Sequence, residues 1–400
     1  MKRFFIAGVV ALAFSTTAQA VDSVKIGILM GYTGPIESLT VGIANGAKLA
    51  LQEVSDSKRL LSGYPGGIKL EAVEADTTCV DAAAATASAE RLVNSDGVAA
   101  IVGALCSGSS IASANSVAIP NGVVMVSPAS TSPAITGLDD NGLFFRTAPS
   151  DARQGQVLAS LLYGMGIEQV AVSYVNNDYG KGFADAFMDS FEKLGQAVVL
   201  LSAAHESDKA DYSAEVAALA ATGAEHLVVL GYVGQGGNHI ISGSIESGAF
   251  SSFSGGDGMI GQSLIDDVGD GIEGMIGTAP GGQSKGAEMW KSVAAAGGLT
   301  VDGPFQGEAY DAAALIALAI QAAGSADRAA IAGSILAVAN APGEKIYPGQ
   351  LSKALDILRG GGDVDYQGAS EVELNDAGDP PGAYLQYVVE GGAWVTVGAL

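Results

Sequence analysis

Two clusters of hydroxyl side chains are the residues in this sequence best suited to holding a small molecule. One cluster follows the apolar run 98–105, and the other follows the apolar run 123–126. Loops of Ser, Thr, Ala and Gly expose backbone N–H groups and hydroxyls but offer neither an acid nor a base, so they suit binding of a small anion and not its reaction. The clusters consist of Ser107, Ser109 and Ser110, and of Ser127, Ser130, Thr131 and Ser132.

Motifs that would indicate catalysis lack the context they need. Residues 282–286 match G-x-S-x-G, but in the fold that uses this motif the histidine follows the serine, whereas all three histidines here precede it. Residues 256–261 match G-x-G-x-x-G, yet they lie late in the chain and do not follow a clear strand. No Cys, His and Asp spacing suits a metal ion. The sequence therefore predicts no catalytic residue, no metal, no cofactor and no enzyme; an enzyme would need a base or a metal. The histidines are His205, His226 and His239.

The elements that would position the hydroxyl loops alternate between strand and helix. Continuous apolar strands separated by helices are typical of parallel α/β sheets, and two such series predict two Rossmann-like lobes. Ligands in these sheets bind beyond the carboxyl ends of the strands. Predicted strands are 24–30, 68–74, 98–105, 123–126, 170–175, 197–202 and 227–230, with extended tail segments at 371–374 and 384–390. Predicted helices are 41–54, 82–93, 109–118, 152–165, 183–194, 212–221, 285–296, 310–323 and 351–358.

Residues from both series fall in loops at the carboxyl ends of these strands. Each has an ordinary alternative explanation, because tyrosines pack between lobes and an aspartate in a Gly-rich bend is a common turn residue. Their shared placement nevertheless predicts that they meet a common ligand. These residues are Ser107, Ala129, Ser130, Thr131, Tyr179, Tyr232 and Asp257.

The N-terminus and the charge balance indicate where the protein works. Lys2 and Arg3, the apolar run 4–14 and the small residues at 18–20 predict a secretory signal peptide over residues 1–20. The apolar run is too short to span a bilayer, no cysteine for lipid attachment follows, and a mature chain free in the periplasm is expected. The formal net charge of −24 disfavours nucleic acid and anionic lipid as partners.

The chain has two cysteines, Cys79 and Cys106. Pairing is the expectation for an exported protein, with two free thiols as the alternative. A disulfide here would join the loop after the second strand to the first hydroxyl loop.

Short segments with a recognisable pattern run in order along the whole mature chain. They are VKIGILMGYTGP (24–35), 76–79, 105–107, VSPAST (126–131), 179–182, 231–232, 255–258, FQGEAYD (305–311) and 366–368. In these segments the chain resembles the type I periplasmic binding proteins of the leucine/isoleucine/valine class, which are the ligand receptors of branched-chain amino-acid ABC importers.

The resemblance implies an architecture of two lobes joined by three crossover strands and closing around the ligand. Residues 21–147 with 280–374 would form lobe 1, and residues 148–279 with 375–400 would form lobe 2. A small amino acid is the implied ligand, an inner-membrane ABC permease is the implied partner, and the protein is expected to be a monomer.

The resemblance also implies roles for individual residues. Ser107, Thr131 and the backbone at Ala129 would hold the α-carboxylate, and Asp257 would take the ammonium, assisted by Thr131 and the Ala129 carbonyl. Tyr179 and Tyr232 would reach in from the second lobe, Phe305 would lie by the cleft, and Cys79–Cys106 would be the family's disulfide. The family's usual ammonium partner is glutamate, so Asp257 departs from it, and Leu39 stands in a loop where the family has an aromatic contact.

The predicted function is a periplasmic substrate-binding component of an ABC importer for a small, branched-chain or aliphatic amino acid. A ligand-sensing receptor domain and a binding protein for a related amide or carboxylate solute remain as alternatives. Because no histidine falls at the predicted site, the sequence predicts an affinity that is nearly constant between pH 6 and 8.

Overall fold

The computed structural model describes residues 23–61, 67–301 and 303–400. The predicted signal peptide lies outside these residues. The chain first builds a five-stranded parallel sheet in the order β2-β1-β3-β4-β5. Its strands are β1 (Ser23–Met30), β2 (Lys69–Asp76), β3 (Ala100–Gly103), β4 (Val124–Ser127) and β5 (Phe144–Arg146). Its first helices are α1 (Glu37–Ser57), α2 (Ala82–Glu90) and α3 (Ser107–Ser113).

A second sheet follows, and its strand order is β14-β13-β10-β9-β8-β6-β7. Five neighbouring strands are parallel: β6 (Gln169–Val175), β7 (Val198–His205), β8 (His226–Leu230), β9 (Phe253–Gly255) and β10 (Ile276–Pro280). The helices of this series are α4 (Asp151–Gly164), α5 (Asp178–Phe191), α6 (Ser213–Ala220), α7 (Gly236–Glu246) and α8 (Gln262–Val268).

The chain then returns to the first sheet before it closes the second. The returning elements are α9 (Lys285–Ala296), α10 (Gln306–Ala323), α11 (Arg328–Ala332), α12 (Ile335–Ala339), β11 (Glu344–Ile346), α13 (Leu351–Arg359) and β12 (Val364–Tyr366). Two antiparallel strands, β13 (Tyr384–Glu390) and β14 (Ala393–Ala399), complete the second sheet. The chain thus passes between the sheets three times, and the lobe boundaries given from the sequence stay a prediction.

Helix α10 is the centre of the first lobe because almost every residue of it is buried. It packs along α1, and the two backbones approach closely: a Cβ at Gly46 would lie 2.2 Å from the carbonyl oxygen of Gln306. Glycine is required at that contact.

Among the described residues no individual helix is long and apolar enough to cross a membrane. One pair, Gln306–Ala323 with Arg328–Ala339, reaches that length and composition only as two helices bent by 111°.

The structure contains four helices that the sequence did not predict, namely α7, α8, α11 and α12. In α7 the glycines lower the intrinsic helix propensity, and burial of side chains such as Ile240 and Ile241 supplies the stability instead. Helix α10 begins four residues earlier than predicted. The segment 371–374, predicted as extended, is not a strand.

A buried ion pair fixes the third passage between the sheets to the end of the first sheet. Arg146 on β5 is fully buried, and its Nε donates to Asp379 at 2.6 Å. The same guanidinium donates to the carbonyl oxygens of Ser130 and Ser132 and to the Thr136 hydroxyl. One side chain therefore holds the second hydroxyl loop, β5 and the segment before β13 together.

The disulfide between Cys79 and Cys106 is present and spans 27 residues, with the two Cα atoms 5.3 Å apart. The predicted pairing is confirmed. The bond attaches the loop after β2 to the residue that precedes α3.

Removal of this disulfide should destabilise the fold. On the chain-entropy model, closing a loop of this size stabilises a protein by about 3–4 kcal/mol. Replacing both cysteines (Cys79→Ala with Cys106→Ala) should therefore lower the free energy of unfolding by about that amount, measured by urea denaturation. Dithiothreitol should lower the midpoint of the natural protein and leave that of the double variant unchanged; equal midpoints for the two proteins would contradict the stabilising role.

Candidate functional site

A cavity between the two sheets collects the carboxyl ends of strands from both series. Its empty space, counted together with the solvent-open space at its mouth, is about 360 Å³. Such a position is where ligands of open α/β sheets bind. The residues that line it are Ile36, Leu39, Ile43, Leu105, Cys106, Ser107, Ala129, Tyr179, Tyr232, Asp257, Gly258 and Phe305.

Six of the eight predicted ligand-binding residues line this cavity, and two do not. The six are Ser107, Ala129, Tyr179, Tyr232, Asp257 and Phe305; Ser130 and Thr131 do not line the cavity. Their assignment to a ligand stays a prediction.

The hydrogen bonds of Ser130 lie within the first lobe. Its hydroxyl donates to the Leu105 carbonyl at 3.0 Å and lies 2.7 Å from the Ser110 hydroxyl, while its N–H donates to the Ser127 hydroxyl. All of these partners belong to the first lobe. Ser130 therefore holds the loop in the shape that places Ala129 at the cavity.

Ser107 is the first residue of α3, directly after the disulfide. Its hydroxyl accepts the N–H of Ser132 at 3.1 Å, and no side chain caps the helix at Cys106. Backbone N–H groups of an uncapped first turn have no partner within the helix. The Ser107 hydroxyl and these backbone N–H groups together favour the binding of an anion.

Asp257 is the acidic residue of the cavity wall, and it follows β9 in the second lobe. The Tyr179 hydroxyl donates to its Oδ1 at 3.3 Å and accepts the N–H of Gly258 at 3.2 Å. The rings of Tyr179 and Tyr232 stack with their centroids 5.0 Å apart. Burial raises the pKa of Asp257 to about 7, although nearby hydrogen bonds act to lower it.

Asp151 is a second acid beside this wall, and the sequence analysis did not find it. Its side chain is fully buried, and neither carboxylate oxygen has a hydrogen-bond partner among the described residues. Burial raises its pKa well above the usual value, and the charge of Asp257 raises it further, while the neighbouring Thr131 hydroxyl lowers it. Asp151 was missed because it opens α4, where an acid is an ordinary partner of the helix dipole.

Thr131 lies between this acid and the cavity-facing loop. Its carbonyl accepts the N–H of Asp151 at 2.8 Å, and its Oγ1 is buried with no hydrogen-bond partner in the part of the chain that the structure describes. The hydroxyl is therefore available to a ligand or to Asp151, and the first lobe contacts α4 through this residue.

The remaining wall of the cavity is apolar. Ile36, Leu39, Ile43, Leu105 and Phe305 supply aliphatic and aromatic surface, and no Lys or Arg is among the lining residues. Phe305 holds the left-handed backbone conformation, with φ of 68°, immediately before α10. The lining therefore gives Asp257 no cationic side chain beside it.

The lobes are in contact around the cavity. The Ser38 and Ser263 hydroxyls lie 3.3 Å apart across one side, and the Ser132 hydroxyl donates to the Asp178 carbonyl at 2.8 Å on another. Leu39 packs against the apolar cores of both lobes. The two lobes therefore touch on more than one side of the cavity.

Groups suited to other chemistry lie elsewhere or are absent within the described ranges. No cluster of three or more His, Cys, Asp or Glu side chains there could hold a metal ion. His205 contacts the Ser173 hydroxyl, and His226 lies between two serine hydroxyls. Burial lowers the pKa of each of these histidines to about 4.

A family model described as "Periplasmic binding protein" matches residues 23–345. The chain belongs to this family. The family and the α/β class of two Rossmann-like lobes expected from the sequence are both confirmed.

Individual relatives agree with this assignment. The chain is 29% identical over 340 residues to a "Leucine-, isoleucine-, valine-, threonine-, and alanine-binding protein" of Pseudomonas aeruginosa, covering 84% of this chain and 88% of the relative. Its fold is similar to that of a leucine binding protein from Thermotoga maritima (TM-score 0.74, 24% identity, 94% of this chain and 98% of the other). It is also similar to a solute binding protein of R. palustris in complex with benzoate (TM-score 0.71, 17% identity, 94% and 96%). At family level these are binding proteins.

The raised pKa of Asp257 should make the free energy of unfolding of this periplasmic binding protein depend on pH. An acid whose pKa is higher in the folded state than in the unfolded state stabilises the fold below the unfolded value, and this stabilisation is lost as the pH rises through the folded value. Asp257 has an unfolded pKa near 4 and a folded pKa of about 7. Without ligand, the free energy of unfolding should fall across this range more steeply than in the Asp257→Asn variant.

Urea denaturation at pH 4.5, 6 and 7.5 gives the comparison. The exposed Asp270→Asn substitution is the matched control and should retain the steep pH dependence. Parallel curves for the natural protein and Asp257→Asn would show that Asp257 is ionised throughout.

Proposed function

We propose that the protein binds a small aliphatic amino acid in the cavity and delivers it to the membrane permease of an ABC importer. The observation that carries the proposal is the arrangement of charge around the cavity. Asp257 faces it from the second lobe, the uncapped start of α3 faces it from the first lobe, and apolar side chains lie between them. That arrangement is complementary to an ammonium, a carboxylate and an aliphatic side chain on one small molecule.

The proposed roles follow from these positions. Ser107, the α3 start and the backbone at Ala129 hold the carboxylate, with Thr131 contributing its hydroxyl. Asp257 pairs with the ammonium, and the stacked Tyr179 and Tyr232 cover it from the second lobe. Leu39, Phe305 and their apolar neighbours receive the side chain.

The magnitudes are sufficient for a useful affinity. Hydrogen bonds to charged groups contribute about 1.5–3 kcal/mol each, and burying an aliphatic side chain contributes about 1.5–3 kcal/mol more. Three or four such bonds with the side chain amount to about 6–15 kcal/mol. This range brackets the roughly 8 kcal/mol of a micromolar complex, and it also has to cover the costs of association and ordering.

The relatives support the ligand class and the cellular role. The printed name of the Pseudomonas aeruginosa relative gives five aliphatic or small amino acids as its ligands. Export through the signal peptide 1–20 into the periplasm, action as a monomer and delivery to an inner-membrane permease complete the proposal.

A carboxylate solute without an amine is the second candidate, because the R. palustris neighbour holds benzoate. The cavity of this chain favours the amino acid. A ligand with only a carboxylate would leave the buried Asp257 either charged without a cation or protonated, and an unpaired buried charge is costly.

Replacement of Asp257 tests the proposal directly. Asp257→Asn keeps the shape of the side chain but removes the charge that pairs with the ammonium, so the affinity for L-leucine should fall at least tenfold at pH 8. Titration calorimetry on ligand-free protein measures the dissociation constant, with Asp270→Asn as the control that keeps the natural affinity.

A thermal-shift panel of the common amino acids and benzoate decides the ligand class. Aliphatic amino acids should raise the melting temperature and benzoate should not. A panel in which benzoate alone stabilises the protein, or an Asp257→Asn variant with undiminished affinity for the amino acid, would contradict the proposal.

A further inference from the structure

Buried acids in this chain are of two kinds. Asp311 on α10 is fully buried, yet it accepts hydrogen bonds from the Tyr366 hydroxyl at 2.8 Å, the Ala369 N–H at 2.9 Å, and the Ser370 N–H and hydroxyl at 2.8 and 2.6 Å. Its charge is thus satisfied within the fold. Asp151 is equally buried and has no donor within hydrogen-bond distance in the described ranges. A buried carboxylate without a hydrogen-bond donor is stable only if a cation lies beside it or a proton neutralises it.

Asp151 and Asp257 form a pair. Both come from the second lobe, Asp151 at the start of α4 and Asp257 after β9, and the charge of Asp257 acts on Asp151. Two carboxylates that share a dry site do not both ionise readily, because each disfavours the charged form of the other. Their titration belongs to the pair as a unit.

The groups that face the pair do little to neutralise its negative charge. The tyrosines that surround it have raised pKa values because they are buried beside the acids, so they are neutral in the physiological range. Two further charges, Arg153 and Asp178, act on these tyrosines. The facing groups are Thr131 from the loop after β4, Arg146 from β5, Gln154 from α4, Tyr179 from α5, Tyr232 from the loop after β8 and Tyr384 from β13.

Arg146 is a cation whose charge acts on Asp151, and its donors are committed elsewhere. Its Nε bonds Asp379, and its two terminal nitrogens bond the Ser130 and Ser132 carbonyls and the Thr136 hydroxyl. Its charge lowers the pKa of Asp151 without forming a hydrogen bond to it. Within the described part of the chain, the pair therefore has no hydrogen-bonded cation partner.

We propose that Asp151 and Asp257 hold one shared proton while the cavity has no ligand, and that the ligand's ammonium displaces this proton to the solvent. The proposal rests on the proposed function, since it requires a ligand with an ammonium group. The charge balances: the protonated pair carries −1, and the ionised pair with one ammonium also carries −1. Binding is thus an exchange of one cation for another, and affinity rises with pH. This differs from the constant affinity expected from the sequence.

Proton release can be counted by titration calorimetry of L-leucine into ligand-free protein at pH 8. Buffers with different enthalpies of ionisation, such as Tris and phosphate, report the number of protons released per ligand. We expect about one proton per leucine and a dissociation constant about tenfold lower at pH 8 than at pH 7. Leucine that binds without proton release and with the same constant at both values would overturn the proposal.

Two variants assign the proton. Asp151→Asn removes the pair, so leucine binding at pH 8 should release much less than one proton, because Asp257 then has no second carboxylate with which to hold a proton. Asp270→Asn removes an exposed acid that has no part in this network and should keep the natural proton count. Proton release unchanged in Asp151→Asn would overturn the role of Asp151, and if this variant does not fold, the count for the natural protein decides alone.

The two proposals fail in different ways. If none of L-leucine, L-valine and L-alanine binds at pH 8, the proposed function is contradicted and the exchange falls with it. If one of them binds without releasing a proton, the amino-acid receptor stands and the exchange alone is rejected.

Discussion

Asp257 is only 3% exposed in the wall of the cavity, so a charge on its carboxylate has to be matched by another charge in the same small volume. The scarcity of positive charge around the cavity makes this constraint strict. No Lys or Arg lines it, and Arg146 behind it is held by Asp379. Whatever occupies the cavity must therefore supply a cation, and the first-lobe wall at Ser107 then receives the opposite charge of the same molecule.

The scaffold is arranged to keep that wall fixed. The disulfide holds the residue before α3, Ser130 holds the loop after β4 through hydrogen bonds within the first lobe, and Arg146 ties the same loop to the segment before β13. These three devices are rigid and internally satisfied. Two of the buried groups that have no hydrogen-bond partner among the described residues, the Thr131 hydroxyl and the Asp151 carboxylate, belong to the second hydroxyl loop and to the helix that follows it.

The sequence was sufficient for the parts of this arrangement that depend on local pattern. Strands such as β3 and β4 are buried at every residue, so their continuous apolar runs predicted both the parallel sheet and the loops that follow it. It was insufficient where tertiary contact decides: α7 begins in a glycine-rich segment and is stabilised by packing. Ser130 belongs to a hydroxyl-rich loop in which only geometry separates a residue that shapes the loop from one that faces the cavity. Asp151 stands in the first turn of α4, where its interaction with the helix dipole explains an acidic residue as well as a role at the site would.

Closure and occupancy are linked by the same buried charge. Bringing Leu39 of the first lobe against the second lobe covers Asp257, and covering an acid without a cation costs free energy in proportion to its loss of hydration. The ammonium of the proposed ligand removes this cost in the closed form. In an open, hydrated cleft, pairing of the ammonium with Asp257 contributes much less favourable free energy. The ligand therefore binds the closed form more tightly than the open one, which is the condition for shifting the equilibrium towards closure. No separate switch is required, because the acid that recognises the ligand is also the group that resists closure in its absence.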